Sequence, residues 1–464
     1  MTETEPKKQK MYIEKIRDLN HDKKLKYYII TMGCKQNEND SEKLCGMIED
    51  MGYTYTDKMV LANLIVINTC CIRESAEEKV FGKIGEVKNL KSKNDVILAV
   101  GGCMMQEEHV LKRLNTSYPF VDLIFGTHTL YKFSEDLYKT LSENKRMQDV
   151  LDVDGEVHEG IPVKRDDKIK ANVSIMYGCN NYCSYCIVPY VRGRERSRKK
   201  EDILAEIQNL AKSEYKEITL LGQNVNSYMR NEMCEMRGER YSFADLLRDV
   251  NKIQGIERIR FMSPHPKDFT DDLINAIKEC DKVCKNIHLP LQSGSNKILK
   301  LMNRKYTRED FIHIVEKMKK EIPNVSFSTD IIVGFPEETE QNFNDTLEII
   351  SRFKFSQVFM FIFSPRVGTV AEKMKNQVPK EIAHKRFDKL KQLVELNLEE
   401  ENSNYINTVQ KVLVEGKSKT DSTMLAGRTD SNKIVVFNGD KKLIGSVVDL
   451  KIVSQHMYYL KGEE

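Results

Sequence analysis

The sequence of 464 residues lacks any apolar run long enough to cross a membrane, and it has almost no surplus of charge. A transmembrane helix needs about 20 consecutive apolar residues, so we expect no membrane partner. From Met1 to Lys10 the chain is polar and rich in lysine, which indicates neither a signal peptide nor an anchor. The 73 basic and 70 acidic residues leave a net charge of +3, which neither requires nor excludes a nucleic-acid partner.

The chain has eleven cysteines but no secretory signal, a combination that indicates a reducing, cytoplasmic location. In that compartment thiols serve metal binding or catalysis, and disulfides are rare. The length exceeds that of one ordinary hydrophobic core. We therefore expect two or three domains.

Three of the cysteines, Cys179, Cys183 and Cys186, form a C-x3-C-x2-C array. Three thiolates this close on a loop can hold one iron–sulfur cluster at three of its four irons and leave the fourth iron open. A structural zinc site is one alternative, but the second cysteine pair that it needs is missing. The odd number of thiols disfavours a disulfide, and ordinary buried cysteines are the remaining alternative. The spacing therefore favours a cluster.

The same triplet, with the aromatic Tyr185 just before its last cysteine, resembles the signature of the radical S-adenosylmethionine (SAM) superfamily. This resemblance implies a 4Fe-4S cluster whose open iron binds the amino and carboxylate groups of SAM. SAM is then a cofactor of the protein.

Upstream of the triplet, apolar strands alternate with amphipathic helices after a polar tail or short lead-in helix at residues 1–25. This alternation predicts an α/β domain with a parallel sheet covered by helices, over residues 26–143. Asp40 or Ser41 is expected to cap the first helix after the first strand. The predicted strands are residues 27–31, 64–67, 96–100 and 121–125.

Cys34, Cys70 and Cys103 each follow the carboxyl end of a predicted strand. Because the carboxyl ends of parallel strands share one rim of a sheet, we expect these three cysteines to converge on one site. Gly33 and Gly102 precede two of them and suit a backbone that approaches a bulky cofactor closely. The alternative is that the cysteines are three small residues in tight turns.

A polar connector at residues 144–168 is predicted to separate this domain from a second one at residues 169–404. Six strand–helix units in the second domain are consistent with the partial (β/α)6 barrel that radical SAM enzymes adopt. Parallel strands of such barrels place functional groups at their carboxyl ends. The predicted strands are residues 172–176, 217–221, 258–262, 287–290, 325–333 and 357–363.

Small and amide residues follow three of these strands. Such side chains can hydrogen-bond to a ribose, an adenine edge and an amino acid, and we predict that they bind SAM. Ordinary turn chemistry is the alternative for each of them. The predicted SAM-binding residues are Gly222, Gln223, Asn224, Gln292, Ser293 and Gly334.

Two further segments suggest RNA. The run Arg192–Lys200 carries six basic residues against one acidic residue and begins just after Cys186, so we predict an RNA contact there and keep a solvated loop as the alternative. Residues 405–464 change to short β-runs at 409–415, 433–437 and 443–452. They predict a small β-barrel that resembles the TRAM domain, an RNA-binding module. A purely structural cap is the alternative.

Residues 33–42, 68–76 and 102–106 resemble the three amino-terminal motifs of the radical SAM methylthiotransferases. The resemblance implies that Cys34, Cys70 and Cys103 hold a second 4Fe-4S cluster. Two adjacent cysteines follow the second strand, and the family pattern favours Cys70 over Cys71 as the ligand. Outside these motifs we expect ordinary small residues at Cys45, Cys234, Cys280 and Cys284.

The order of domains covers nearly the whole chain after residue 25, and residues 263–268, 288–295 and 302–307 resemble the branch that acts on isopentenylated adenosine beside the tRNA anticodon. One departure, Lys35-Gln36 after Cys34, resembles relatives that modify threonylcarbamoyl-adenosine. A ribosomal-protein aspartate is a third possible substrate. A non-catalytic, RNA-binding iron–sulfur regulator is the alternative from another class.

The resemblance implies transfer of a methylthio group to carbon 2 of the adenine, with one cluster generating a 5′-deoxyadenosyl radical from SAM and the other supplying sulfur. Carbon 2 carries no acidic proton and no leaving group, so no side chain is assigned as a catalytic acid or base. The implied partners are the anticodon stem-loop of tRNA and a low-potential electron donor such as flavodoxin or ferredoxin. We expect a monomer. Apolar residues near strand ends are candidates for an isopentenyl pocket or for ordinary core: Phe261, Met262, Phe359, Phe361 and Phe363.

Overall fold

The computed structural model describes residues 5–71, 74–92, 95–151, 155–230 and 241–464. The chain divides into two compact units. The first contains residues 1–167, 172–180 and 186–202, and the second contains residues 168–171, 181–185 and 203–464. Within the described ranges we find no helix with the length and apolar character of a membrane span.

The first unit contains a six-stranded sheet with the order β2-β1-β3-β4-β5-β6 and parallel pairing throughout. The central strand β3 is buried along its whole length, as its apolar sequence predicts for a parallel sheet covered on both faces. The edge strands β2 and β6 were not predicted because they are only two and three residues long. The strands are β1 (Lys26–Thr31), β2 (Thr54–Tyr55), β3 (Leu64–Thr69), β4 (Ile97–Gly102), β5 (Leu123–Phe125) and β6 (Met147–Asp149).

Helices cover this sheet, and two apolar cores lie against it. The lead-in segment forms a helix that buries Ile13 and Ile16. The first helix after β1 begins at Lys35, so the expected cap at Asp40 or Ser41 is wrong. Both residues lie inside that helix as buried polar side chains. The helices are α1 (Glu5–Leu19), α2 (Lys35–Asp50), α3 (Glu74–Lys91), α4 (Glu108–Ser117) and α5 (Phe133–Glu143).

The segment that carries the cysteine triplet contains little regular secondary structure. Two residues before the triplet pair antiparallel with two residues after it, Met176 with Ser197 and Tyr177 with Arg196. The triplet loop is therefore closed at its base by a two-stranded ribbon. The elements here are β7 (Lys170–Ser174), β8 (Met176–Tyr177), α6 (Val188–Arg192) and β9 (Arg196–Ser197).

The second unit contains five parallel strands of a partial barrel, which belong to the sheets β11-β10-β7 and β12-β13-β14. A parallel bridge between Ile259 and Val283 lies between these two sheets. This arrangement confirms the predicted α/β barrel class. The strands are β10 (Glu217–Leu221), β11 (Arg258–Phe261), β12 (Asn286–His288), β13 (Ser326–Val333) and β14 (Gln357–Ile362).

Several of the barrel helices begin at side chains that satisfy their free backbone N–H groups. Capping boxes occur at Ser242, Thr307 and Thr339, where each side chain accepts from the third residue of its helix. The helices are α7 (Lys200–Lys212), α8 (Phe243–Asn251), α9 (Asp271–Glu279), α10 (Asn296–Leu301), α11 (Arg308–Glu321), α12 (Glu340–Phe353) and the long α13 (Lys380–Ser403).

The last 60 residues form a closed five-stranded barrel with the order β15-β16-β17-β19-β18. The predicted small β-barrel is thus confirmed, with two strands more than the three predicted runs. The third run is displaced toward the carboxyl end, because a short 3-10 helix at Lys441–Leu443 precedes its strand, which begins at Val447 and ends at Gln455. The strands are β15 (Val409–Lys417), β16 (Leu425–Thr429), β17 (Ile434–Phe437), β18 (Val447–Gln455) and β19 (Leu460–Glu463).

The small barrel packs against the amino-terminal ends of the partial-barrel strands. Arg258, the first residue of β11, donates to the carbonyls of Arg428 at 2.6 Å and Lys411 at 2.9 Å. The backbone N–H just before β12 donates to Asp430 at 2.9 Å. The small barrel therefore lies at the ends of the strands opposite to those that carry the predicted SAM residues.

Candidate iron–sulfur cluster sites

Cys34, Cys70 and Cys103 lie at the carboxyl ends of three neighbouring strands. Cys70 directly follows β3, Cys103 directly follows β4, and Cys34 precedes α2 at the end of β1. In register, Thr31 pairs with Asn68 and Thr69 pairs with Gly102. Cys70 and Cys103 are buried, and Cys34 is partly exposed. The topology thus brings three residues distant in sequence to one rim.

Gly33 lets the backbone approach Cys70 unusually closely. A Cβ atom at position 33 would lie 2.4 Å from both Cβ and Sγ of Cys70, and the glycine has a φ of 104°. Both observations require glycine, since the left-handed region and the absence of a side chain are needed together. The close approach places the Cys70 thiol beside the backbone that leads into Cys34.

Asn37 is the polar residue that the cysteines share, and sequence reasoning missed it. Its Oδ1 lies 3.7 Å from Sγ of Cys103 and 4.0 Å from Sγ of Cys34. Its Nδ2 donates to the carbonyls of Met32 and Thr69, both at 2.8 Å. The side-chain amide therefore ties the ends of β1 and β3 together and fixes the space between the two thiols.

Cys71 faces Cys103. The hydrogen bond between these buried thiols lowers the pKa of Cys103 and raises the pKa of Cys71 well above its usual value. Burial raises the pKa of Cys34, and the nearby charge of Arg192 opposes that rise. Cys71 also belongs to the apolar core on one face of the sheet. Both adjacent cysteines lie near the rim, and the choice of Cys70 as a ligand stays a prediction.

Arg192 enters the same site from α6. One of its terminal nitrogens donates to Oδ1 of Asn37 and to Oδ2 of Asp40, each at 2.7 Å. The Arg192 side chain is only 7% exposed. Burial opposes its charge, yet Cys103 and Asp40 raise the pKa of Arg192 well above its usual value. After the Cys71 hydrogen bond, Arg192 is a second cause of the lowered pKa of Cys103.

These contacts correct the prediction that the whole run Arg192–Lys200 meets RNA. Arg192 is buried among the cysteines, and Arg198 is buried in contacts with Glu159 and the carbonyl of Ser174. The sequence could not distinguish buried from exposed arginines within one charged run. Arg194 and Lys199 are the exposed members of the run.

The cysteine residues of this rim suit an iron–sulfur cluster in their chemistry. Within the described part of the chain, no three His, Cys, Asp or Glu side chains are close enough to hold one ion. A four-iron cube is a larger object that takes its thiolates at separate corners. All three cysteines are free thiols, and a buried cation stands beside them. Such a setting suits an anionic group.

The triplet residues are held by their own local contacts. The N–H of Cys179 donates to the carbonyl of Gly193 at 3.1 Å. Gly178, just before it, has a φ of 75°, and a Cβ there would lie 2.0 Å from the carbonyl oxygen of Arg194. The first turn of the predicted cluster loop thus requires glycine.

Cys183 has a buried arginine of its own. Arg304 Nη1 lies 3.4 Å from Sγ of Cys183, and Nη2 donates to the carbonyl of Pro290 at 3.2 Å. The N–H of Ser184 donates to the carbonyl of Met302 at 3.0 Å. Residues 302–306, which the sequence offered only as a family resemblance, therefore hold the middle of the triplet loop.

The residues predicted to bind SAM differ in their surroundings. Oε1 of Gln223 is buried and has no hydrogen-bond partner among the residues that the structure describes. Gln292 is buried with a φ of 69°, a strained conformation typical of functional sites. These two side chains fit a polar ligand, and their contact with SAM remains a prediction.

Three of the other four predicted SAM residues have protein partners. Asn224 donates to Asp268 at 2.9 Å, and Ser293 accepts from the N–H of Ser295 at 3.3 Å. Gly334 donates its N–H to Glu338, and a Cβ there would lie 2.7 Å from Cβ of Ala383. Gly222 is buried directly after β10. The glycine at 334 thus has a packing reason that does not involve a cofactor.

Three family models match the chain. The model described as Radical SAM superfamily matches residues 173–350, Uncharacterized protein family UPF0004 matches residues 26–126, and TRAM domain matches residues 403–463. The tRNA-2-methylthio-N(6)-dimethylallyladenosine synthase of Clostridium tetani is 53% identical, over 97% of this chain and 99% of its own length. The chain belongs to the tRNA-2-methylthio-N(6)-dimethylallyladenosine synthase family. A synthase of the same name from Alkaliphilus oremlandii is 52% identical, over 98% of this chain and 96% of its own.

Membership of this family confirms the resemblance to the methylthiotransferases, the expected enzyme class and the expected cofactors, SAM and 4Fe-4S clusters. A solved structure of the radical SAM methyltransferase TsrM from Kitasatospora setae, with cobalamin and a 4Fe-4S cluster bound, is 13% identical to this synthase. It covers 75% of this chain and 77% of its own with a TM-score of 0.54. At that identity the likeness shows the fold alone.

Proposed function

We propose that this synthase adds a methylthio group to carbon 2 of the isopentenylated adenosine beside the tRNA anticodon. One observation carries the proposal: a chain half identical to the synthases over its full length places cysteines at two separate sites, a local triplet and a rim of three strand ends. Methylthiolation needs two sources of reactivity, one for the carbon and one for the sulfur.

Cys179, Cys183 and Cys186 would hold one 4Fe-4S cluster, and Cys34, Cys70 and Cys103 would hold the other. When bound, the two clusters and SAM would supply the 5′-deoxyadenosyl radical that takes the hydrogen of carbon 2, the transferred sulfur and, from a separate SAM, its methyl group, chemistry that side chains cannot provide. The protein residues position these groups and exclude water. Asn37 spaces the thiols of Cys34 and Cys103, and the burial of Cys70 and Cys103 keeps their surroundings dry.

The apolar candidates for the isopentenyl group separate into core and exposed residues. Phe261 packs edge-on against Phe243 at 5.3 Å, and Phe363 packs against Phe335 at 5.1 Å, so both belong to the core. Phe359 is 39% exposed and pairs in register with Asp330. Met262 and Phe361 are partly exposed. Phe359 is therefore the strongest candidate for contact with the substrate.

Charge favours isopentenyl-adenosine over threonylcarbamoyl-adenosine. A threonylcarbamoyl carboxylate beside Phe359 would lie near Asp330, whose carboxylate already has His288 as its partner at 3.3 Å. Leaving a buried carboxylate unpaired costs several kcal/mol. Lys35, the residue that resembles the sister branch, is exposed and pairs with Glu38 on the surface at 2.6 Å. It does not supply a cation to the cysteine rim.

The remaining partners are part of the proposal. The carboxy-terminal barrel and the exposed cations Arg194 and Lys199 would bind the anticodon stem-loop. A flavodoxin or ferredoxin would supply electrons to a cytoplasmic monomer. The domains would be residues 26–143, 169–404 and 405–464, with 144–168 as a linker; strand β6 shows that the sheet reaches into that linker.

The test is nucleoside mass spectrometry of tRNA from a host that lacks its own synthase, with and without this gene. We expect the methylthio derivative of isopentenyl-adenosine only when the gene is present. In a matched anaerobic assay with SAM and reductant, threonylcarbamoyl-adenosine tRNA should give little or no product. Faster reaction of that RNA would assign the chain to the branch that modifies threonylcarbamoyl-adenosine. Failure to cleave SAM under dithionite would favour a non-catalytic regulator.

A further inference from the structure

Arg192 belongs to the segment that carries the triplet, yet its charge lies at the other cysteine site. It follows Cys186 by six positions. Its guanidinium meets Asn37 and Asp40 at 2.7 Å each, and Asn37 is the residue next to the thiols of both Cys34 and Cys103. One stretch of chain thus serves both sites.

The contribution of the Arg192–Asp40 ion pair to folding stability does not explain why Arg192 is buried. A buried ion pair such as Arg192 with Asp40 is at best weakly stabilising, because both groups lose their hydration. Asp40 also accepts from Gln36 at 3.2 Å, so its carboxylate has another partner. The groups that gain most from the cation are the thiols, which become anionic when they bind metal.

A 4Fe-4S cluster on three thiolates carries net negative charge, and that charge increases by one on reduction. A fixed positive charge and hydrogen bonds beside a cluster stabilise its reduced form and raise its reduction potential. Arg192 offers both from a site of low polarity, where its field is weakly screened.

We propose that Arg192 is a positioning residue for the second cluster: it orients Asn37 between Cys34 and Cys103 and sets the reduction potential of the cluster that they hold. The proposal rests on the proposed function of Cys34, Cys70 and Cys103 as ligands. It assigns to Arg192 a role distinct from RNA binding, although its neighbour Arg194 is exposed.

The experiment compares Arg192→Gln and Arg192→Lys in the full-length, anaerobically reconstituted protein. Arg198→Gln is the matched control, because Arg198 is equally buried in the same segment but bonds to Glu159 and Ser174. The readouts are iron content, the reduction potentials of the two clusters by titration monitored with electron paramagnetic resonance, and 5′-deoxyadenosine formation. The last reports on the triplet site alone.

We expect Arg192→Gln to move the potential of the second cluster to a more negative value while 5′-deoxyadenosine formation is unchanged. Arg192→Lys should shift the potential less than Arg192→Gln does, since lysine keeps the charge but not the forked geometry. Arg198→Gln should move neither potential. Selective loss of the second cluster in Arg192→Gln, with retention in Arg198→Gln, also supports the proposal.

An unshifted potential in Arg192→Gln with full iron content would overturn the inference, as would equal effects of Arg192→Gln and Arg198→Gln. The ligand assignment fails separately: in that case Cys103→Ala would keep all the iron of the unmodified protein. The two failures are therefore distinguishable by iron content before any potential is measured.

Discussion

The two cysteine sites are built in opposite ways. Cys179, Cys183 and Cys186 lie within eight consecutive residues, whereas Cys34, Cys70 and Cys103 are spread over 70 residues and meet only because β1, β3 and β4 are neighbours in a parallel sheet. The first site depends on the local chain, with Gly178 and residues 302–306 holding the loop. The second depends on strand order.

The sites nevertheless share one device, a buried arginine next to a thiol. Arg304 lies 3.4 Å from Sγ of Cys183, and Arg192 lies beside Cys103 through Asn37. Neither arginine belongs to the cysteine motif that it serves. A buried cation near each set of thiols compensates the charge of an anionic cofactor. In both cases the arginine comes from a part of the sequence distant from the thiol beside it.

The largest expected effect separates the sites by function. Cys183→Ala should abolish SAM cleavage and methylthio transfer and remove about four irons per chain. Cys103→Ala should remove a similar amount of iron and abolish methylthio transfer, yet retain SAM cleavage. Iron analysis together with 5′-deoxyadenosine quantification checks both. Loss of SAM cleavage in Cys103→Ala would show that the two sites do not act independently.

The next test concerns the adjacent thiols. Cys70→Ala should lose about four irons per chain, because its thiol faces the turn before Cys34. Cys71→Ala should keep the iron and lose only a contact with Cys103 and some apolar packing. Iron content and the visible absorption of the reconstituted proteins measure the difference. The reverse pattern would make Cys71 the ligand and shift the motif by one position.

Glycine substitutions should damage one site at a time. Gly33→Ala forces a Cβ to within 2.4 Å of the Cys70 thiol, and Gly178→Ala forces one to within 2.0 Å of the Arg194 carbonyl. We expect each to destabilise its own site by about 1–3 kcal/mol, with partial loss of iron. Gly368→Ala is the control, since it has a positive φ but open space around it. Equal iron loss in all three variants would mean that backbone strain, and not the steric contact of the added Cβ atom, causes the loss of iron.

The smallest effect should come from the exposed cations of the basic run. Arg194→Gln and Lys199→Gln should each weaken tRNA binding modestly and reduce the salt dependence of log Kd by about one unit of slope, with no change in iron content. Filter binding at several salt concentrations measures this. Unchanged tRNA affinity in a variant that combines Arg194→Gln and Lys199→Gln would indicate that the run is a solvated loop that does not contact RNA.

The fold class followed from the sequence because buried parallel strands such as Leu64–Thr69 are continuous apolar runs that helices separate. The positions of Cys34, Cys70 and Cys103 after strands were visible for the same reason. The edge strands Thr54–Tyr55 and Met147–Asp149 were missed, since short polar edges carry no such pattern.

What the sequence by itself determined was the chemistry available at each site: a contiguous triplet, three cysteines after strands and glycines that permit close approach. Only the tertiary structure decided which charges meet those thiols. Arg192 looked like its exposed neighbour Arg194, and Arg304 stood in a stretch that was singled out only by its family resemblance. Burial depends on how distant segments pack, and a local pattern of charges has no information about it.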